Sequence, residues 1–74
     1  MRPIKFIKMK KLVKDKPSEQ EVMVLVSKIE SWREDTYNTD WAGKKTWWHV
    51  KTISGEMFFI YRKDFEKVLE QLTT

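Results

Sequence analysis

Apolar and polar positions divide the chain into four patterned segments. Pro3 to Val13 contains I-K-F-I-K-M-K-K-L-V, alternating at first and then slipping where Phe6 and Ile7 are both apolar. That pattern predicts a strand with a bulge or one covered on both sides near its middle. Lys14-Asp15-Lys16-Pro17-Ser18 is the first break, where Pro and polar residues favour a turn. The next segment supports two readings. Ser18-Glu19-Gln20-Glu21 fits a helical capping box with Val22, Leu25, Val26 and Ile29 at helical spacing, yet its clustered valines lose rotamer freedom in a helix and suit a pleated sheet. The β-branched content favours one long strand, Glu21 to Trp32.

Glu34 to Lys45 is polar, contains a glycine, and predicts a long loop docked by Tyr37 and Trp41. The stretches T-W-W-H-V-K-T-I and E-M-F-F-I-Y-R flank Ser54-Gly55 and predict a β-hairpin with a two-residue turn. That turn would set Val50 opposite Phe59, His49 opposite Ile60, Trp48 opposite Tyr61 and Trp47 opposite Arg62. Trp48, Val50, Met57, Phe59 and Tyr61 would then share the core face. Trp47, His49, Lys51, Phe58, Ile60 and Arg62 would share the other. Asp64 reads as an N-cap, and Phe65, Val68, Leu69 and Leu72 follow at i, i+3, i+4 and i+7, an amphipathic helix too short to stand alone.

These elements predict one α+β domain over residues 1–74. Its sheet is antiparallel, strongly twisted and four-stranded, curled towards an SH3-like barrel, with one C-terminal helix packed on it. The expected core is Trp32, Trp48, Val50, Phe59, Tyr61, Phe65 and Leu69.

Composition narrows the chemistry. With 74 residues the chain leaves little room for a deep substrate pocket and its supporting shell. The absence of cysteine removes disulfides, thiolate metal sites and cysteine nucleophiles. His49 is the only histidine and has no second histidine to share a metal. Glu34, Asp35 and Asp40 could gather in the predicted loop, but their spacing matches no calcium loop. No enzyme activity, cofactor or metal is expected. The longest apolar run, Val22 to Val26, is far short of the ~20 residues that span a bilayer. Lysines interrupt the N-terminal segment before a signal-peptide core can form, so the expected localisation is cytoplasmic, without membrane contact.

Charge gives the one positive functional signal. The formal net charge is +4, and residues 1–16 hold seven basic side chains against Asp15 alone, while residues 17–40 are acidic on balance. Basic residues interleaved with flat rings suit nucleic acid, because cations release counterions from phosphates and rings stack on bases. The candidate contacts are Lys5, Lys8, Lys10, Lys11, Lys44, Lys45, Lys51 and Arg62, with Trp47 as the stacking or wedging ring.

The stretches V-S-K-I-E-S-W-R, W-W-H-V-K-T-I-S-G-E and F-F-I-Y-R resemble a small uncharacterised bacterial domain attached to, or encoded near, relatives of Y-family translesion DNA polymerases. Ile29, Trp32, Arg33, Trp41, Trp48, Val50, Thr52, Gly55, Ile60, Tyr61 and Arg62 carry the likeness over roughly the middle half of the chain. Where that family shows another Trp-bearing strand, this chain has the helical Asp64 to Leu72. The basic first strand, the V-S-K-I segment before a Trp and the C-terminal helix are also similar to small basic archaeal chromatin proteins, whose Gly-rich hairpins are missing here. Both resemblances imply a DNA-associated, non-enzymatic accessory domain. The alternative is a protein-interaction or regulatory module, homodimeric through an exposed strand edge, motivated by the apolar first strand and the excess of aromatic residues.

Overall fold

The computed structural model describes residues 3–73. The first segment forms β1 (Phe6–Val13), paired antiparallel with β2 (Lys16–Leu25). Only Lys14 and Asp15 make the reversal, both at positive φ (50° and 63°), as in the two-residue turns whose twist matches antiparallel strands. The wider break expected over residues 14–18 shrinks because Lys16 and Pro17 already pair with Val13 and Leu12.

The valine-rich segment is extended, not helical, but it holds a corner. β2 ends at Leu25, a 3₁₀ turn spans Val26–Lys28, and β3 runs over Ile29–Thr39. Val26 and Ile29 are buried on either side of that corner, and the Val26 N–H donates to the Lys5 carbonyl at 2.8 Å. Burial of both side chains and capture of that amide hold the corner closed. The single strand expected over Glu21–Trp32 is therefore two strands, and the sheet has five strands rather than four.

The predicted loop over Glu34–Lys45 is mostly strand. β3 continues to Thr39 and pairs with β4 (Gly43–Thr52), placing Glu34 opposite Trp48 and Asp35 opposite Trp47. Polar side chains on a strand with one solvated side mimic a loop in sequence. Only Asp40, Trp41 and Ala42 turn, with Gly43 at φ +70° and the Thr39 hydroxyl accepting the Ala42 N–H at 3.1 Å.

The β4–β5 hairpin forms where expected but with a different register. The Gly55 N–H donates to the Thr52 carbonyl (3.0 Å) and the Thr52 N–H to the Glu56 carbonyl (2.9 Å), so Ile53, Ser54 and Gly55 all belong to the loop. Gly55 sits at φ +87°, the left-handed position that a three-residue hairpin loop places at its bulge. One extra loop residue moves the pairing by one: Lys51 faces Met57, Val50 faces Phe58, His49 faces Phe59, Trp48 faces Ile60 and Trp47 faces Tyr61. Because strand side chains alternate, β5 (Met57–Tyr61) is turned over relative to the expectation. Gly55→Ala is expected to cost about 1–2 kcal/mol, the penalty of a left-handed L-residue, since nothing crowds the added methyl. Urea unfolding checks it, and an unchanged midpoint would contradict the turn.

The strand order is β2-β1-β5-β4-β3, antiparallel throughout, with β2 and β3 as edges. No backbone ladder joins those edges among the described residues. Helix α1 (Arg62–Thr73) covers one side. It starts two residues before the expected cap, which puts Asp64 in its first turn, where a carboxylate favours the positive end of the helix. Met9, Val24, Val26, Ile29, Val50, Phe58 and Ile60 form the core with Phe65 and Val68 of the helix, and Trp32, Trp48, Leu69 and Leu72 pack around them. Phe59 and Tyr61, expected in this core, lie on the opposite side of the sheet. Gln71 ties the helix end to the chain start: its Oε1 accepts the Ile4 N–H at 2.7 Å and its Nε2 donates to the Ile4 carbonyl at 3.0 Å.

Candidate nucleic-acid interface

The side of the sheet away from the helix holds a second aromatic cluster. Trp47, His49 and Lys51 of β4 share it with Met57, Phe59 and Tyr61 of β5 and with Arg33, Asp35 and Tyr37 of β3. Trp47 is 0% exposed, so it cannot stack on a base, and its expected role as the emerging ring is overturned. It is enclosed by neighbouring rings: Tyr61 stacks on it at 4.1 Å and 20°, and Trp41 meets it edge-on at 5.8 Å. Phe59, also fully buried, lies between Tyr37 (4.9 Å, edge-on) and His49 (4.6 Å, stacked). The one-residue loop insertion at Ile53–Gly55 causes this arrangement by bringing Phe59 and Tyr61 alongside Trp47. Trp41 is fixed over the cluster by its indole N–H, which donates to the Pro17 carbonyl at 3.4 Å, and by the Lys10 ammonium 5.4 Å from its ring centre. What reaches solvent from the cluster is the half-buried set Tyr37, Trp41, His49 and Tyr61.

Cations surround those rings. Lys8 and Lys10 of β1 alternate onto this side, as do Arg33, Lys45 and Lys51, against the carboxylates of Glu21 and Asp35. Three of these charges are already engaged. Lys10 pairs with Glu21 at 3.4 Å, and Asp35 accepts from the Tyr37 hydroxyl (3.2 Å) and the Thr36 N–H (3.0 Å). Burial first, and then the nearby Asp35 carboxylate, push the Tyr37 phenol above its ordinary range, so it stays protonated and donates. β4 overruns β5, so Lys45 and Thr46 extend past Tyr61 and meet the start of the helix. A hollow of ≈ 360 Å³ lies there, lined by Lys45, Thr46, Tyr61, Arg62, Lys63 and Asp64. A smaller one, ≈ 100 Å³, lies on the β1 side of the same ring, lined by Lys8, Lys10, Glu21, Phe59, Ile60, Tyr61 and Asp64.

The candidate residues thus separate into groups. Lys45 and Arg62 meet in one hollow, and Lys8 and Lys10 in the other. Lys51 lies with Arg33 and His49 along a cleft of ≈ 130 Å³ nearer the Gly55 turn. Arg62 is paired with Glu34 at 3.1 Å. Lys11 and Lys44 alternate to the other side of their strands, and Lys5 borders an apolar groove beside Leu25 and Leu72. Glu34, Asp35 and Asp40 do not gather either. They sit on strand and turn positions of different orientation, and among the described residues no three His, Asp or Glu side chains are grouped to hold a metal ion. Sequence reasoning missed Tyr61 and Arg33 as surface residues and Lys63 as a contributor. The signal for Tyr61 lay in Ile53-Ser54-Gly55, where a three-residue loop fits the glycine as well as a two-residue one.

His49 adds a pH dependence. Neither ring nitrogen has a hydrogen-bond partner or solvent access, and the ring is stacked on Phe59. Burial first, then the Arg33 guanidinium, lower its pKa below 6.5, with Asp35 opposing. The unfolded chain therefore binds the proton more readily. Stability is complete above about pH 6.5 and falls as pH drops through the depressed folded value. Because the chain has one histidine, its imidazole NMR titration is unambiguous, and a midpoint at or above 6.5 would contradict the buried stack.

No family model, no curated protein and no solved structure matches this chain. Among the described residues no helix is long and apolar enough to cross a membrane.

Proposed function

We propose that the protein is a nucleic-acid-binding accessory domain, acting through the side of the sheet opposite α1. The carrying observation is the placement of Lys8, Lys10, Arg33, Lys45 and Lys51 around half-buried aromatic rings on one face, where they outnumber the nearby carboxylates of Glu21, Asp35, Asp15 and Asp64. Such a face draws in a polyanion by counterion release and offers ring surface to bases. The +4 net charge supports the same reading, as does the resemblance to a domain found with translesion polymerase relatives. The phosphate contacts come from cations around the cluster; the buried Trp47 supports the rings above it.

Fluorescence anisotropy with labelled oligonucleotides tests this. Affinity is expected to fall linearly on a log–log plot against salt, with a slope of roughly 0.7–0.9 for each phosphate engaged. Lys45→Glu and Lys51→Glu should weaken binding strongly, whereas Lys11→Glu and Lys44→Glu, on the other side of the strands, should weaken it much less. No binding at low salt, or equal weakening by all four reversals, would remove the proposal.

A protein partner is favoured by one other observation. Phe6 (54% exposed) and Met23 (60%) lie on the β1–β2 ribbon beside Lys8 and Leu25. Pairing two β2 edges antiparallel about Gln20 would set Glu19 against Glu21, a like-charge contact that discourages edge-to-edge dimers. This second reading therefore uses the ribbon's face, and sedimentation velocity at several concentrations detects self-association through it.

A further inference from the structure

Resting on the nucleic-acid reading above, we infer that Tyr61 and the two hollows flanking it form a subsite for one unpaired nucleotide of a single strand. The base stacks on the Tyr61 ring. One neighbouring phosphate lies by Lys8 and Lys10, the next by Lys45 and Lys63.

Three observations converge on Tyr61. First, its ring is stacked on Trp47, which is fully buried and braced by Trp41, so Tyr61 is held in a fixed plane while remaining half-exposed. A ring oriented in advance loses little freedom when a base settles on it. Second, both hollows share Tyr61, so cations lie on two sides of one stacking ring. Consecutive phosphates of an extended strand flank each base in the same way. Third, three of the five cations there are uncommitted: Lys8, Lys45 and Lys63 have no ion-pair partner among the described residues, whereas Lys10 and Arg62 are held by Glu21 and Glu34. Asp64 borders both hollows. Its carboxylate opposes a phosphate in either hollow, as Glu21 does in the smaller one, and the lysines outnumber it. In a duplex each base is covered above and below by its neighbours, so only an unpaired base offers its face to Tyr61.

The test compares a labelled oligothymidine with a duplex of equal length. Tyr61→Leu, which removes the π-face, is expected to weaken single-strand binding about 5- to 150-fold, the range for removing one base–ring stack, and to leave duplex binding unchanged. Tyr61→Phe keeps the ring and should bind as the wild type does. Lys45→Ala with Lys63→Ala should lower the single-strand salt slope by about 0.7 for each phosphate no longer neutralised, and Asp64→Asn should tighten binding. A folded Tyr61→Leu protein with wild-type affinity, or one whose single-strand and duplex binding weaken equally, overturns the subsite while leaving the broader reading intact. If Tyr61→Leu does not fold, the double lysine variant decides: unchanged affinity and slope overturn the subsite. Wild-type protein that binds neither oligonucleotide at low salt overturns both.

Discussion

Trp47→Ala is expected to lower the unfolding free energy by about 3–5 kcal/mol, the range for deleting a large buried aromatic side chain. At roughly 0.05–0.15 kcal/mol per residue, a chain of 74 residues holds about 4–11 kcal/mol in all, so this one substitution removes a large part of it. The effect comes from the side of the sheet that faces away from the helix. Trp47 touches Tyr61, Trp41 and Phe59 there, and its removal leaves a cavity under all three rings. Its indole N–H has no partner, which offsets part of the loss and favours the lower half of the range. Trp41→Ala should cost less, because that ring is half-exposed, with the Lys10 ammonium 5.4 Å from its centre. Urea denaturation of the two variants checks the order. Equal destabilisation, or a larger effect at Trp41, would contradict the burial assigned to Trp47.

Phe65→Ala is expected to cost a similar ~3–5 kcal/mol and to release the helix. Twelve residues of helix are marginal in water, so α1 holds its shape through the face that Phe65 and Val68 bury. Phe65 also meets Trp32 edge-on at 6.1 Å and Trp48 at 6.0 Å, which makes it the link between the helix and both half-buried indoles. Helical circular dichroism and the near-ultraviolet tryptophan signal should therefore disappear together, at lower denaturant than in the wild type. A variant that keeps its helical signal and is destabilised by under about 1 kcal/mol would show that Gln71 and the remaining packing suffice.

Much of this architecture is legible in the sequence because its signals are local. The aromatic hairpin and the amphipathic Phe65–Leu72 stripe each declare themselves within about ten residues, whereas the valine-rich segment also carries a capping box and helical spacing, and only its β-branched content favours a strand. The 3₁₀ corner at Val26–Lys28 does not declare itself, because its apolar residues continue the surrounding pattern and only burial on both sides shows the bend. Gly55 is consistent with a two- or a three-residue loop, and the choice depends on which side of β5 finds partners. Ile60 fits under Phe65 and Val68, while Phe59 fits among Tyr37, His49 and Trp47. That preference is tertiary, and a one-residue slip reverses the whole strand. The candidate interface is legible in the same partial way. The excess of basic residues near the chain start is plain, but alternation sends Lys8 and Lys10 to one side and Lys11 to the other. Lys63, which completes the larger hollow, carries no signal until the helix start is placed beside β4.

The stability order and the nucleotide subsite both require that Tyr61, not Arg62, lie opposite Trp47. Nuclear Overhauser spectra of the isotope-labelled protein measure this directly. Cross-peaks between the Trp47 and Tyr61 rings and between the His49 and Phe59 rings are expected from their 4.1 Å and 4.6 Å separations. Cross-peaks pairing Trp48 with Tyr61 and Val50 with Phe59 would place β5 the other way up, move Tyr61 beneath the helix and contradict the account.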